Sequence, residues 1–164
     1  MHTLILGLGN PLRGDDGVGT AVIANLRNHP DLPPDVDLVD GGTAGLETAV
    51  LLQSRQKVII IDAADMDSPP GTWRRFTLAE AQLLKDEAQM RGTLHNVGLA
   101  EALALAEVLQ IMPQTLIIFG VQPENVDWEE GLSTAVTNCI PNLCTRILQD
   151  ASIREFHSRG VGHE

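Results

Sequence analysis

Residues 57–62 read Lys-Val-Ile-Ile-Ile-Asp, and the fold depends most on this stretch. Its nearly unbroken β-branched run is typical of a strand buried on both faces, as in a parallel sheet. Apolar runs at Thr3–Leu8, Val36–Asp40 and Thr115–Val121 predict three more strands. A weaker run, Thr72–Thr77, predicts a strand at an edge of the sheet.

Segments with helical spacing of apolar residues separate these strands. They predict five helices, at about Asp16–Asn28, Leu46–Gln53, Leu78–Met90, Gly98–Gln110 and Ser133–Asp150. Pro141 interrupts the last helix, and we expect a kink there. Strands that alternate with helices favour right-handed crossovers and a mostly parallel α/β sheet covered by helices.

Composition and charge narrow the class of protein. We expect one domain, residues 1–164, with a loosely ordered tail after about residue 152. The net charge of −11, from 22 acidic and 11 basic residues, argues against nucleic-acid binding. No apolar run approaches the roughly 20 residues that span a bilayer, and the N-terminus lacks the pattern of a signal peptide. We therefore expect a cytoplasmic protein without a membrane partner.

Acidic residues follow the best strands, where parallel α/β sheets build their binding sites. Asp15 and Asp16 lie in the loop after the first strand, Asp40 ends the second, and Asp62 ends the third. His95 precedes a predicted helix and supplies the one well-placed imidazole. Two carboxylates and an imidazole, with positions left open for water or substrate, suit a divalent metal such as nickel or zinc.

Each of these side chains also has a structural interpretation. Asp15 can be a helix N-cap and Asp16 an acid in a first helical turn. Asp40, before two glycines, fits an Asx turn, and Asp62 can cap the turn that follows it. His95 can be a surface histidine or a satisfied core histidine. Only their expected convergence on one edge favours a joint role.

Other patterns are weaker. Gly7 to Gly14 reads G-x-G-x-x-x-x-G, which is not the dinucleotide-binding fingerprint, and no G-K-[ST] sequence follows. Cys139 and Cys144 are five residues apart in a helical segment, so we expect buried free thiols.

Several blocks together carry a family resemblance. Gly7-Leu8-Gly9-Asn10 followed by Gly14-Asp15-Asp16-Gly17-Val18-Gly19 resembles the opening signature of hydrogenase maturation endopeptidases. Four further blocks are similar to later segments of that family: Asp40–Gly45, Ile61–Ala63, His95–Leu99 and Gly120–Glu124. They fall in order between residue 3 and about residue 148, so the combination is more specific than any one block.

The resemblance implies a three-layer α/β/α sandwich with a twisted five-stranded sheet. It also implies a protease that removes the C-terminal extension of a nickel–iron hydrogenase large-subunit precursor after nickel insertion. Asp16, Asp62 and His95 would be its catalytic and metal-binding residues, and the family accepts Asp or Glu at the first position. The metal is expected to be nickel carried by the substrate, with zinc or cadmium able to substitute in vitro.

The resemblance further implies that Asp40, Gly41, Gly42 and Thr43 lie near the substrate tail. Two mechanisms remain open: attack by a metal-activated water, or general-base catalysis by one carboxylate, as in aspartyl proteases. We expect the enzyme to be a monomer and the hydrogenase precursor to be its partner.

Two other functions compete with this one. One is a module that senses nickel and binds the precursor without cutting it. Such a module would use the same candidate residues as the protease. Peptidyl-tRNA hydrolases also open with a strand and Gly-Leu-Gly-Asn-Pro, but they continue into a histidine-bearing segment and need a basic face for tRNA. Here Arg13-Gly14-Asp15-Asp16-Gly17 follows, and the chain is acidic.

Overall fold

The sheet has five strands, four of them parallel. The computed structural model describes residues 2–80 and 97–154. The strands are β1 (Thr3–Gly7), β2 (Val36–Asp40), β3 (Lys57–Ala63), β4 (Trp73–Thr77) and β5 (Thr115–Val121). Their order is β2-β1-β3-β5-β4, and only β4 is antiparallel to its neighbour. The predicted mostly parallel sheet, with a weak strand at its edge, is confirmed.

Four helices accompany these strands among the described residues. They are α1 (Val18–Leu26), α2 (Leu46–Leu52), α3 (Val97–Val108) and α4 (Thr134–Ser152). A 3-10 turn, Gly14–Gly17, precedes α1, so this helix begins two residues later than predicted. Most of the predicted helix Leu78–Met90 and the tail beyond residue 154 lie outside the described residues. None of the described helices is long and apolar enough to cross a membrane.

The helices cover both faces of the sheet. On one face, Ile59, Ile61 and Phe119 pack with the apolar residues of α1 and α4. On the other face, Val58 and Ile60 pack with those of α2 and α3. Neighbouring residues of β3 thus enter opposite cores, which is why its sequence is an unbroken apolar run. The predicted three-layer α/β/α arrangement is confirmed.

Helix α4 is continuous through Pro141. The hydroxyl of Ser133 caps its start by accepting a hydrogen bond from the Val136 amide at 3.3 Å. Pro141 lacks an amide hydrogen, yet its carbonyl accepts a hydrogen bond from Thr145 Oγ1 at 3.1 Å. The remaining helical bonds and the buried apolar face therefore hold the helix across the proline, and the expected kink stays a prediction.

Ionic groups hold the amino-terminal edge of the sheet. Asp150, near the end of α4, accepts hydrogen bonds from Arg75 Nε at 2.9 Å and Arg75 Nη2 at 3.1 Å, and Arg146 lies 3.4 Å away. Lys57 Nζ donates to the main-chain carbonyls of Asp150 and Ile153. A cleft of about 500 Å³ lies at this edge, lined in part by Lys57 and Ile153. These buried charges are paired, which is what a structural role requires.

At the opposite, carboxyl-terminal edge, α1 approaches the sheet through glycines. A Cβ placed on Gly19 would lie 2.3 Å from the Leu8 carbonyl oxygen and 2.9 Å from that of Ile61. A Cβ on Gly7 would lie 2.4 Å from the Gly19 carbonyl oxygen. All these neighbours are main-chain atoms and cannot rotate away. The glycines therefore let the start of α1 contact the ends of β1 and β3.

We expect Gly19→Ala to lower the free energy of unfolding by about 1–3 kcal/mol, because overpacking against main-chain atoms must displace α1. Urea denaturation would measure this. Gly45→Ala is the matched control, since a Cβ there meets nothing within 4 Å and its φ of −165° suits any residue. Equal effects of the two substitutions would contradict this role of Gly19.

Candidate active site

Asp16 is held in the 3-10 turn directly after β1. Its Oδ2 accepts a hydrogen bond from the Asn10 amide at 2.9 Å, so the loop itself orients the carboxylate. Within the described residues no donor reaches its Oδ1. Gly9 adopts a φ of 120°, and a Cβ there would lie 1.9 Å from the Asp16 carbonyl oxygen, so only glycine fits. One oxygen of Asp16 is thus fixed while the other can meet a ligand.

Asp62 lies near the end of β3 and is 3% exposed. Burial, and secondly the negative charge of Asp16, raise the pKa of Asp62 to about 8, while a hydrogen bond from the Ala63 amide lowers it. Gly7 pairs with Ile61 in the sheet, so the loop that carries Asp16 and the end of β3 that carries Asp62 lie at the same carboxyl-terminal edge. The joint role of the two carboxyl groups as a site stays a prediction.

Asp15, next to Asp16, has a different role. It is fully buried, and its Oδ2 accepts hydrogen bonds from the Glu124 amide at 2.8 Å, the Asn125 amide at 3.3 Å and Ser133 Oγ at 2.8 Å. Its Oδ1 accepts one from the Ser133 amide at 2.7 Å. Asp15 therefore joins the loop after β1 to the loop after β5 and to the start of α4. This is structural, as one interpretation of the sequence allowed, but it is not an N-cap of α1.

The loop after β2 lies beside the loop after β1. The Gly41 amide donates to the Gly7 carbonyl and the Gly9 amide donates to the Gly42 carbonyl, each at 2.8 Å. Asp40 is exposed, and its Oδ1 accepts hydrogen bonds from Thr20 Oγ1 at 3.2 Å and from the Gly42 amide at 3.5 Å. The second bond fits the Asx-turn interpretation.

Thr43 is exposed in the same loop. Residues 40–43 thus form an accessible rim at the carboxyl-terminal edge, although their contact with a substrate stays a prediction. The rim continues to α3, because a Cβ on Gly98 would lie 2.2 Å from the Ala44 carbonyl oxygen.

His95, the third predicted metal ligand, lies outside the described residues. In the sequence it stands two residues before Val97, the first residue of α3. Across residues 2–80 and 97–154, no three His, Cys, Asp or Glu side chains are grouped as a metal site would require. The Asp16–Asp62–His95 assignment therefore stays a prediction.

Gln122 has a structural role that the amino-acid sequence did not reveal. It is buried, its Oε1 accepts a hydrogen bond from the Met66 amide at 2.6 Å, and its Nε2 donates to Asp65 Oδ1 at 3.2 Å. It thereby fixes the loop that follows Asp62. The family block around Gly120–Glu124 marked the position but not this contact.

The expected free thiols are confirmed, but only Cys144 is buried, while Cys139 is partly exposed. Cys139 and Cys144 are both free, on α4. Burial raises the pKa of both thiols, that of Cys144 to about 11. Thiols in this state are poor nucleophiles and poor metal ligands.

The comparisons with known proteins agree with this geometry. The family model of HycI, hydrogenase maturation protease, matches residues 20–150. This chain belongs to that family. The hydrogenase 2 maturation protease of Escherichia coli (strain K12) is 31% identical over 165 residues, covering 100% of this chain and 98% of the relative.

Two further likenesses support the family assignment. The hydrogenase maturating endopeptidase HybD from E. coli superposes with a TM-score of 0.81 and 29% identity, over 93% of this chain and 94% of that one. Hydrogenase expression/formation protein HupD of Thiocapsa roseopersicina is 36% identical over 124 residues, which are 76% of this chain. This chain spans 55% of the length of HupD.

We expect Asp15→Ala to lower the free energy of unfolding of this chain by about 3 kcal/mol or more, because it leaves buried donors without an acceptor. Urea denaturation would measure the loss. Asp127→Ala is the matched control, because Asp127 is an exposed acid of the loop after β5. A loss no greater than that of the control would show that Asp15 does not hold the loops together.

The raised pKa of Asp62 predicts a pH dependence of stability. From about pH 4 to about pH 8 the unfolded chain releases this proton while the folded chain retains it, so stability falls as pH rises. Asp62→Asn removes the effect. With chelator present, we expect the variant to gain at least about 1.4 kcal/mol over the wild type between pH 5 and pH 8, the free energy of one pKa unit. Urea midpoints at both pH values test this, and a pH-independent difference would refute the buried acid.

Proposed function

We propose that this chain is an endopeptidase that removes the C-terminal extension of a nickel–iron hydrogenase large-subunit precursor after nickel insertion. The observation that carries the proposal is the buried Asp62 with the partly exposed Asp16 at the same carboxyl-terminal edge of the sheet, in a chain of the hydrogenase maturation protease family. We further propose that the enzyme works as a monomer in the cytoplasm.

The carboxyl pair has the chemistry of a cation site. When both are ionised they repel each other, and Asp62 is buried as well, so a divalent cation would favour the ionised form of Asp62. Asp16 Oδ2 is occupied by the Asn10 amide, which leaves Oδ1 for such a cation. Carboxylate oxygens together with the imidazole of His95 would form a three-ligand set suited to nickel. The nickel would arrive as part of the substrate.

The chain's own residues would then position the scissile bond. Nickel bound between the precursor and these ligands would polarise a carbonyl and favour attack by water. Asn10 would keep Asp16 oriented, and the loops fixed by Asp15 and Gln122 would keep the edge rigid. The exposed rim of Asp40 to Thr43 would accept the extended tail.

The competing proposal is a module that senses nickel and binds the precursor without cleaving it. It would use the same acidic pair. No residue contact favours it over the protease, and the family's name describes proteolysis. The experiment below separates the two.

The direct test incubates the purified chain with a large-subunit precursor, with and without nickel loaded, and weighs the products by mass spectrometry. We expect loss of a short C-terminal peptide only from the nickel-loaded precursor. Asp16→Asn, Asp62→Asn and His95→Gln should each slow processing at least about a hundredfold, since even residues behind metal ligands cost about 10–100-fold.

Matched controls are Asp31→Asn and His29→Gln, which lie after α1, away from the carboxyl-terminal edge. They should process at the wild-type rate. Binding in a pull-down without cleavage would favour the sensing module. Processing that survives any of the three ligand substitutions would remove that residue from the site.

A further inference from the structure

An exposed tryptophan lies next to the active-site loop. Trp128 is 75% exposed, an unusual position for the largest apolar side chain. The guanidinium of Arg13 lies 5.2 Å from the centroid of its ring, a cation–π contact. Arg13 belongs to the loop after β1, and Trp128 to the loop after β5. The pair therefore joins two loops of the carboxyl-terminal edge.

Arg13 also has an unused hydrogen-bond donor. Its Nε is buried, yet no acceptor reaches it within the part of the chain that the structure describes. A buried donor left without an acceptor destabilises the folded chain. Trp128 has no acceptor group on its ring to satisfy it. Because this atom is closed to solvent, an oxygen atom of a ligand would reach it only if the Arg13 side chain turned outward.

The pair is fixed relative to Asp16. The Asp16 amide donates to the Arg13 carbonyl at 3.0 Å, within one tight turn. The Gly14 amide donates to the Glu129 carbonyl at 2.7 Å, and the Asp15 amide donates to the Asn125 carbonyl at 2.8 Å. The loop carrying Trp128 is thus bonded on both sides of that residue to the loop carrying Asp16. A ligand held by Arg13 and Trp128 would be held close to the acidic pair.

We propose that Arg13 and Trp128 form a recognition site for the C-terminal region of the precursor. On binding, the Arg13 side chain turns outward and its Nε donates to a carbonyl or carboxylate oxygen of that polypeptide, and the exposed ring of Trp128 packs against one of its apolar side chains. Arginine and tryptophan are the residue types that dominate the energy of protein interfaces. The inference rests on the proposed function and adds the residues that recognise the substrate. Both are positioning residues and take no part in bond cleavage.

The test measures kcat and KM for processing of the nickel-loaded precursor, and Kd for the same pair by calorimetry. The variants are Arg13→Lys, Arg13→Gln and Trp128→Ala. Arg13→Lys is the decisive one, because it keeps the charge but loses the Nε donor and the planar guanidinium. The matched controls are Arg27→Gln, at the exposed end of α1, and Val108→Ala, 80% exposed at the end of α3.

We expect KM and Kd to rise about tenfold or more in all three variants, the loss of one hydrogen bond to a charged group or of one buried aromatic contact. kcat should stay within about twofold, since the acidic pair is unchanged. Urea midpoints should match those of the wild type, and both controls should bind normally.

Wild-type values of KM and Kd in Arg13→Lys or in Trp128→Ala would overturn the inference while leaving the protease function intact. A fall in kcat alone would also overturn it, because it would place the pair in the chemistry. If the wild type binds the precursor without cleaving it, the proposed protease function fails, and the Kd values still decide the inference. If the wild type neither binds nor cleaves, both fail.

Discussion

The buried carboxylate of Asp15 is the constraint on which the carboxyl-terminal edge depends. Its partners are main-chain amides and a hydroxyl more than a hundred residues away in sequence, in the loop after β5 and at the start of α4. A carboxylate that accepts several such bonds is well satisfied even when fully buried. Since Asp15 and Asp16 are consecutive in a tight 3-10 turn, fixing the first also fixes the second. The structural acid thereby places the candidate catalytic acid.

The two edges of the sheet differ in whether the surroundings of a buried acid favour its ionised form. At the amino-terminal edge, Asp150 is paired with Arg75 and Arg146, and Lys57 is satisfied by carbonyls at the end of α4. At the carboxyl-terminal edge, burial and the like charge of Asp16 disfavour the ionised form of Asp62. The first arrangement serves stability. The second costs stability, and such costs persist where function requires them.

The sequence predicted the strands well because each buried strand is a local run of apolar residues. Val36–Asp40 and Thr115–Val121 were predicted to the residue, and the edge position of β4 followed from its weaker apolar pattern. The start of α1 was placed too early, because Asp15 and Asp16 resemble residues of a first helical turn. Their true conformation is a 3-10 turn set by tertiary bonds. The candidate residues Asp16 and Asp62 could be placed at one edge because topology alone brings strand ends together.

What the sequence could not show are contacts between distant loops. No local pattern indicates that Asp15 meets Ser133, that Gln122 holds the loop after Asp62, or that Arg13 lies over Trp128. Yet the structure puts three departures from ordinary burial rules in one region: an acid buried at the end of an apolar strand, an arginine donor without an acceptor among the described residues, and an exposed tryptophan. A structure selected for stability alone would have little reason to keep the last two. Because all three lie on loops or strand ends of the carboxyl-terminal edge, a ligand of that edge is the simplest common reason for keeping them.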